Sequence, residues 1–99
     1  MIKLFGDQYF EWDEDKEKKN IRKHGIDFET ALKVFGDDER IEYLDDNHST
    51  QGEYRYATIG MIYDALFVVT VFYTERTGAI RIISARRATT REEEEYYGN

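Results

Sequence analysis

Two segments near the start of the chain have the end signals of helices, and the second also has the apolar spacing of a helix. Asp13 can cap a helix that runs to about His24, where Gly25 can take the left-handed conformation that ends it. Asp27 can cap a second helix, which ends at Gly36. The apolar residues of the second helix recur at three- and four-residue intervals, as one core-facing stripe requires: Phe28, Ala31, Leu32 and Phe35.

Beyond Gly36 the pattern alternates with a period of two, which is typical of strands. Four such segments follow one another, at residues 40–44, 54–62, 65–74 and 79–84. A turn-rich loop at 45–52 and tight turns at 63–64 and 75–78 connect them. A further short strand is expected before the helices, at residues 9–12.

A last helix is expected at the end of the chain. Thr89 or Thr90 can cap it, and Glu92 and Glu93 in its first turn suit the positive end of the helix dipole. The elements together predict a two-layer α+β fold with two N-terminal helices, a four-stranded antiparallel meander and a C-terminal helix. We expect residues 1–99 to form a single domain, because 99 residues leave no room for two independent cores.

Composition adds expectations about the environment of the protein. The chain has no cysteine, which excludes disulfides and thiolate metal sites and suits a reducing cytoplasm. Its longest apolar run, Ala65–Phe72, is only as long as a strand, so we expect a cytoplasmic protein with no membrane partner. The net charge of −7 alone disfavours binding to nucleic acid.

The distribution of charge partly reverses that conclusion. Residues 16–24 contain five basic side chains and one acidic one, and residues 76–91 contain five arginines and no acidic residue. Arginine binds phosphate or carboxylate with two parallel hydrogen bonds and stays charged at any relevant pH. Two basic segments in an otherwise acidic chain predict an anion site, and the anion is RNA, a partner protein or the chain's own carboxylates.

The first helix places Lys16, Asn20, Lys23 and His24 along one side, at i, i+4, i+7 and i+8. One interpretation is a solvated helix face, anchored by Trp12, Ile21 and Ile26. The alternative is that Lys23 and His24 face a substrate cleft. A histidine ahead of a helix-ending glycine can also simply cap the last carbonyl groups.

In the last strand, alternation places Arg81 and Arg86 on opposite faces, so they are expected to do different jobs. The alternative to a functional role is ion pairing with Glu53, with Glu75 or with the glutamates at 92–95. For five arginines with no acidic residue close in sequence, we expect a functional role for at least two.

The loop and the strand that follows it contain a second polar group. His48 with Asp45 and Asp46 allows a metal site in principle, but the spacing matches no strong ligand pattern. Glu53 and Arg55, two residues apart, are expected to share a strand face and to form a structural ion pair.

Several motifs, spread in order over about residues 9 to 97, resemble the BrnT family of toxins. The first half of the chain contributes Trp12-Asp13, Lys16, Asn20, Lys23-His24-Gly25, Phe28-Glu29 and Val34-Phe35. The second half contributes His48-Ser49, Glu53, Arg55, Ile59-Gly60, Tyr73-Thr74-Glu75-Arg76 and Arg81-Ile82-Ile83-Ser84-Ala85-Arg86-Arg87.

The resemblance implies a ribonuclease toxin of a type II toxin–antitoxin system with a RelE-like microbial ribonuclease fold. It implies RNA as the substrate and a BrnA-type antitoxin with a ribbon-helix-helix domain as the partner. The toxin would contact operator DNA only through that antitoxin, in complexes that repress the operon. We expect cleavage without a metal or another cofactor.

Cleavage of this kind needs a proton acceptor, a donor for the leaving oxygen and cations for the charge that develops on phosphorus. The catalytic candidates are Lys23, His24, Arg55, Arg81 and Arg86. The candidates for RNA binding are Lys16, Lys19, Arg76 and Arg87, with Glu53 and His48 as possible supporting residues.

Each candidate has a role that fits its side chain. Because arginine does not give up its proton, the arginines can only stabilise charge. His24, or else Glu53, would be the base, and Lys23 would hold the phosphate or assist proton transfer. Two other hypotheses remain open: a protein of the same fold that binds its antitoxin but no longer cuts RNA, and an acidic interaction protein that does not bind RNA.

Overall fold

The structure is a computed structural model and describes residues 1–49 and 52–98. Thr50 and Gln51, which belong to the predicted loop at 45–52, and Asn99 lie outside the described residues. No helix among the described residues is long and apolar enough to cross a membrane.

The described residues form one mixed sheet of six strands. The strands are β1 (Ile2–Phe5), β2 (Gln8–Glu11), β3 (Ile41–Leu44), β4 (Arg55–Ile62), β5 (Phe67–Arg76) and β6 (Ala79–Arg87). Their order across the sheet is β1-β2-β6-β5-β4-β3. Neighbouring strands are antiparallel except β2 and β6, which are parallel.

The helices are α1 (Glu14–His24), α2 (Phe28–Ala31) and α3 (Thr90–Tyr97), with short 3-10 helices at Leu32–Gly36 and Asp46–His48. The α+β class is confirmed. The predicted four-stranded antiparallel sheet is wrong in size and direction. Strand β1 was not predicted, and β2 joins β6 through the pairs Phe10–Ile80 and Glu11–Arg81. Periodicity describes one segment at a time, so it does not reveal a pairing between the two ends of the chain.

The second predicted helix is also corrected. It is a single α-helical turn that continues as a 3-10 helix, and its buried residues are Phe28, Ala31, Leu32 and Val34. Phe35, which the 3.6-residue period placed in the core, is only half-buried.

The two-layer arrangement is wrong as well, because helices cover both faces of the sheet. On the face of α1 and α2, the main core contains Phe10, Phe28, Leu32, Val71 and Ile82. On the opposite face, Tyr96 of α3 packs with Ile59 and Val68 in a smaller cluster. Since α3 covers only part of that face, the remainder of it is available for a site.

Candidate functional site

A β-bulge in β6 determines which arginines share a face. Tyr73 of β5 pairs with Ile82, whereas the preceding residue, Phe72, pairs with Ser84, so Ile83 has no partner on β5. One extra residue reverses the alternation beyond it. Arg81 and Arg86 therefore lie on the same face of the sheet, and the prediction that they lie on opposite faces is wrong.

This face, which also carries α3, presents a row of cations around Phe72. Arg55 and Arg81 both have Thr74 as their neighbour on β5, and Arg86 has Thr70. The guanidinium carbons of Arg55 and Arg86 each lie 5.3 Å from the centre of the Phe72 ring, close enough for cation–π attraction. Thr70 and Thr74 are four residues apart in β5, so Arg81 and Arg86 are separated by about 13 Å along the strand.

Each of these three arginines also contacts a carboxylate. Arg81 Nη1 lies 3.1 Å from Glu11 Oε2, and Arg86 Nη1 lies 2.6 Å from Glu92 Oε1. Arg55 Nε lies 3.5 Å from Asp45 Oδ2, too far for a strong hydrogen bond. The chain's own carboxylates thus occupy the row in this state, which was one of the three interpretations of the basic segment.

Helix α1 is attached to β6 by a buried amide. Asn20 Nδ2 donates to the carbonyl oxygens of Ala85 and Ile26 at 2.8 and 2.9 Å, and Ala85 N donates to Asn20 Oδ1 at 3.1 Å. Asn20 is 5% exposed, whereas Ile21 is 43% exposed. The side chain of Asn20 therefore forms hydrogen bonds with the backbone N–H and carbonyl groups of Ala85 at the edge of β6, as a neighbouring strand would. Asn20, and not Ile21, anchors α1.

Between α1 and β6 lies a surface cavity of about 300 Å³, which we call the α1–β6 cleft. Its lining residues are Lys16, Lys19, Asn20, Lys23, His24, Ile83 and Ser84. Within residues 1–49 and 52–98, none of the three lysines forms an ion pair. The cleft is consequently a place where three lysines of the first basic segment lie together, beside Ile83 and Ser84 of the second segment, without a carboxylate bound to them.

His24 lies at this cleft with a lowered pKa. Partial burial, together with the positive charges of Lys23 and Arg86, lowers the pKa of His24 below its ordinary value of 6.5. A neutral imidazole can accept a proton at pH 7, which is what a general base requires. Ser84 of the cleft is two residues from Arg86 in β6, so the cleft adjoins the arginine row.

The remaining candidates lie elsewhere. Arg76 is six residues from Thr70 along β5, which corresponds to about 20 Å, and it lies 3.5 Å from Glu53. The predicted pair of Glu53 with Arg55 is therefore wrong, because β4 begins only at Arg55 and Glu53 precedes it. The positions of Arg76 and Glu53 separate both from the α1–β6 cleft.

Arg87 and His48 also lie away from the α1–β6 cleft. Arg87 has the core residue Val69 as its β5 partner, so it faces the side of α1 and α2, and it stacks over the Phe67 ring at 4.5 Å. His48 Nδ1 lies 3.0 Å from Asp45 Oδ2. Among the described residues, no three histidine or acidic side chains are grouped as a metal site would require.

Sequence reasoning missed several residues of this region. Ser84 lines the cleft, Phe72 lies between two arginines, and Thr70 donates to Glu92. Alternation could have placed Thr70 and Phe72 together on one face. Ser84 joins Arg81 there only because of the bulge, for which the sequence gives no clear signal.

Comparison with known proteins gives one match. A family model described as "Ribonuclease toxin, BrnT, of type II toxin-antitoxin system" matches residues 12–92, which is most of the chain. The matched region begins just after β2 and includes α1, the whole of β6 and Glu92. A search of curated proteins found no match.

Proposed function

We propose that this chain, which belongs to the BrnT family of ribonuclease toxins of type II toxin–antitoxin systems, cleaves RNA in the α1–β6 cleft without a metal. The observation that carries the proposal is the meeting of Lys16, Lys19 and Lys23 with a neutral His24 at one surface cavity. Phosphate binding needs unpaired cations, and strand cleavage needs a base, so the cleft supplies both requirements.

In the proposed mechanism His24 takes the proton of a ribose 2′-hydroxyl group, and the resulting oxygen attacks the adjacent phosphorus. The bond from phosphorus to the 5′-oxygen breaks, which leaves a 2′,3′-cyclic phosphate and a 5′-hydroxyl end. Lys23 gives a proton to the departing 5′-oxygen, and exchange with solvent restores both side chains. Lys16 and Lys19 hold flanking phosphates by charge.

The arginine row has a supporting role in this proposal. Arg86 contributes, after burial and Lys23, to the lowered pKa of His24, which favours its role as a base. Arg55 and Arg81 extend the cationic track beyond the cleft, over a length that suits about two nucleotides. Arg76 and Arg87 would bind RNA only outside this track, and Glu53, which lies beside Arg76 at the far end of β5, is too distant to replace His24 as the base.

A type II family also implies a cognate antitoxin. We propose, from the resemblance, a BrnA-type antitoxin with a ribbon-helix-helix domain, through which alone the toxin contacts operator DNA. Inhibition of translation and a RelE-like fold are likewise predictions from the resemblance.

One observation favours a second candidate function, a binding module that retains the fold but no longer cuts RNA. Arg55, Arg81 and Arg86 are all matched by carboxylates, which weakens their attraction for phosphate. Under this alternative the protein binds its antitoxin and represses the operon without ribonuclease activity.

Purified protein incubated with single-stranded RNA and EDTA separates the two functions. We expect cleavage that leaves 2′,3′-cyclic phosphate ends, and a loss of roughly 100-fold or more for His24→Gln, since a positioned base contributes about that much. Arg22→Ala is the matched control, because Arg22 is an exposed cation on α1 outside the cleft. Absence of cleavage by folded wild-type protein would favour the binding module, and full activity of His24→Gln would exclude His24 as the base.

A further inference from the structure

The carboxylate of Glu92 occupies a set of donors that suits a phosphate. Arg86 Nη1 and Nη2 donate to its two oxygens at 2.6 and 3.1 Å, and Thr70 Oγ1 and Thr89 N each donate at 2.9 Å. Burial raises the pKa of Glu92, but the donors from Arg86, Thr89 and Thr70 outweigh it and lower the value to about 2. Glu92 is therefore an ionised internal ligand of these groups.

The strand positions of Arg86 and Thr70 are fixed by the sheet and do not depend on Glu92. They are cross-strand neighbours on β6 and β5, and Thr70 is 0% exposed. A guanidinium fork with a hydroxyl beside it binds a phosphate with the same geometry as a carboxylate. Since Ser84 of the α1–β6 cleft is two residues from Arg86 in β6, a phosphate at this point would be continuous with an RNA strand in the cleft.

Glu92 lies on an element with few attachments. Helix α3 has eight residues, of which only Tyr96 is buried, and the hydroxyl group of Tyr96 donates to Asp37. The other attachments of the helix to the sheet are Glu92 itself and the packing of the Tyr96 ring against Ile59 and Val68. Such an element can leave the sheet at a modest energetic cost while β5 and β6 keep their register.

Resting on the proposed ribonuclease function, we propose that Arg86 and Thr70 form a phosphodiester site for the RNA substrate, which Glu92 blocks when α3 is docked. RNA and Glu92 then compete for the same donors. The apparent affinity for RNA is reduced by the fraction of molecules in which α3 is docked. Helix α3 is thus an autoinhibitory strap on the row of arginines.

The test uses two substitutions that release α3 in different ways. Glu92→Gln removes the competing charge, and Tyr96→Phe removes the hydrogen bond to Asp37 without changing any charge. Their matched controls are Glu94→Gln, which removes an equal charge from an exposed position, and Tyr97→Phe, which changes an exposed tyrosine. Circular dichroism establishes that each variant is folded.

Binding is measured with an RNA oligonucleotide whose 2′-hydroxyl groups are methylated, so that it cannot be cleaved. We expect Glu92→Gln and Tyr96→Phe to bind it roughly tenfold more tightly than wild type, which corresponds to a docked fraction of about nine-tenths. The RNA affinity of the two control variants should stay within about twofold of the wild-type affinity, as expected for substitutions at exposed positions outside the site. Adding Arg86→Gln to Glu92→Gln should abolish the gain.

If both variants bind RNA no more tightly than their controls, the inference is wrong. Failure of the proposed function has a different signature, because cleavage of unmodified RNA is assayed separately. Cleavage without tighter binding of the variants overturns only the strap. Tighter binding without cleavage overturns only the ribonuclease mechanism and leaves the phosphodiester site in place.

Discussion

Substitution of Asn20 by alanine should detach α1 from β6, and with it one wall of the proposed site. The change removes the three hydrogen bonds that the side chain makes with Ala85 N, Ala85 O and Ile26 O. Asn20 is 5% exposed, so the groups it leaves behind are poorly reached by water. Its role is to position the cleft, since the proposed mechanism assigns it no contact with RNA.

The expected cost follows from those three bonds. Each contributes a net of about 1 kcal/mol, and a buried group left without a partner costs somewhat more, so the loss is about 3 kcal/mol. Alanine has a higher helix propensity than asparagine, which offsets about 0.6 kcal/mol of this loss in the free energy of unfolding. We therefore expect the free energy of unfolding to fall by about 2–3 kcal/mol, with a fall in Tm of about 10–20 °C for a domain of this size.

Urea unfolding followed by the fluorescence of Trp12 measures this loss. Trp12 is the only tryptophan and is 4% exposed, so its emission should change when the core opens. Ile21→Ala is the control, because Ile21 is the next residue of α1 but is 43% exposed, and it should cost about 1 kcal/mol or less. A loss for Asn20→Ala no larger than that of the control would refute the assignment of Asn20 as the anchor of α1.

Other perturbations test the electrostatics and packing. The value of kcat/KM for RNA should rise with pH to a plateau, with a midpoint below 6.5, the ordinary pKa of His24. Arg86→Gln should move that midpoint upward, because it removes a positive charge that lowers the pKa of His24. An unchanged midpoint in the rate–pH profile of the variant would contradict this effect of Arg86 on His24. A Cβ atom on Gly60 would lie 2.8 Å from Val34 Cγ1, so Gly60→Ala should lower the urea midpoint by an amount equivalent to about 1–3 kcal/mol in the free energy of unfolding. An unchanged midpoint would mean that Val34 can move aside without cost. The pKa of Glu92 is about 2 in the folded protein against an ordinary 4.5, so the stabilisation that Glu92 provides is present above pH 4.5 and is lost as the pH falls toward 2. In urea titrations, the Glu92→Gln variant should therefore lose less stability than wild type over that interval. An equal loss in both proteins would argue against a stabilising ion pair between Glu92 and Arg86.

Local signals correctly predicted both ends of α1 and the start of α3, whereas the α-helix predicted to end at Gly36 stops at Ala31. The Asp13 side chain accepts hydrogen bonds from Asp15 N and Lys16 N, and Gly25 has a φ of 73°, as a helix-ending glycine requires. Thr89 caps α3 in a reciprocal arrangement with Glu92. These features depend on residues at most four apart, so the sequence contains the information needed to predict them.

The site could be predicted only in part. Lys16, Lys23 and His24 do line one cavity, because helical spacing alone places them on one side of α1. The faces of Arg81 and Arg86 could not be predicted, since a single unpaired residue, Ile83, reverses the alternation. The pairing of Arg86 with Glu92 could not be predicted either. It depends on where α3 docks on the sheet, and periodicity does not specify which of the nearby glutamates then reaches Arg86.

The α1–β6 cleft as the RNA site is the central claim, and a chemical-shift titration tests it most directly. Isotope-labelled protein is titrated with the methylated, non-cleavable RNA oligonucleotide at low and moderate salt. The account predicts that the largest amide shifts occur at Lys19, Lys23, His24 and Ser84, and that salt weakens them as phosphate contacts require. Shifts centred elsewhere, with the amides of α1 and of Ser84 unchanged at saturation, would contradict it.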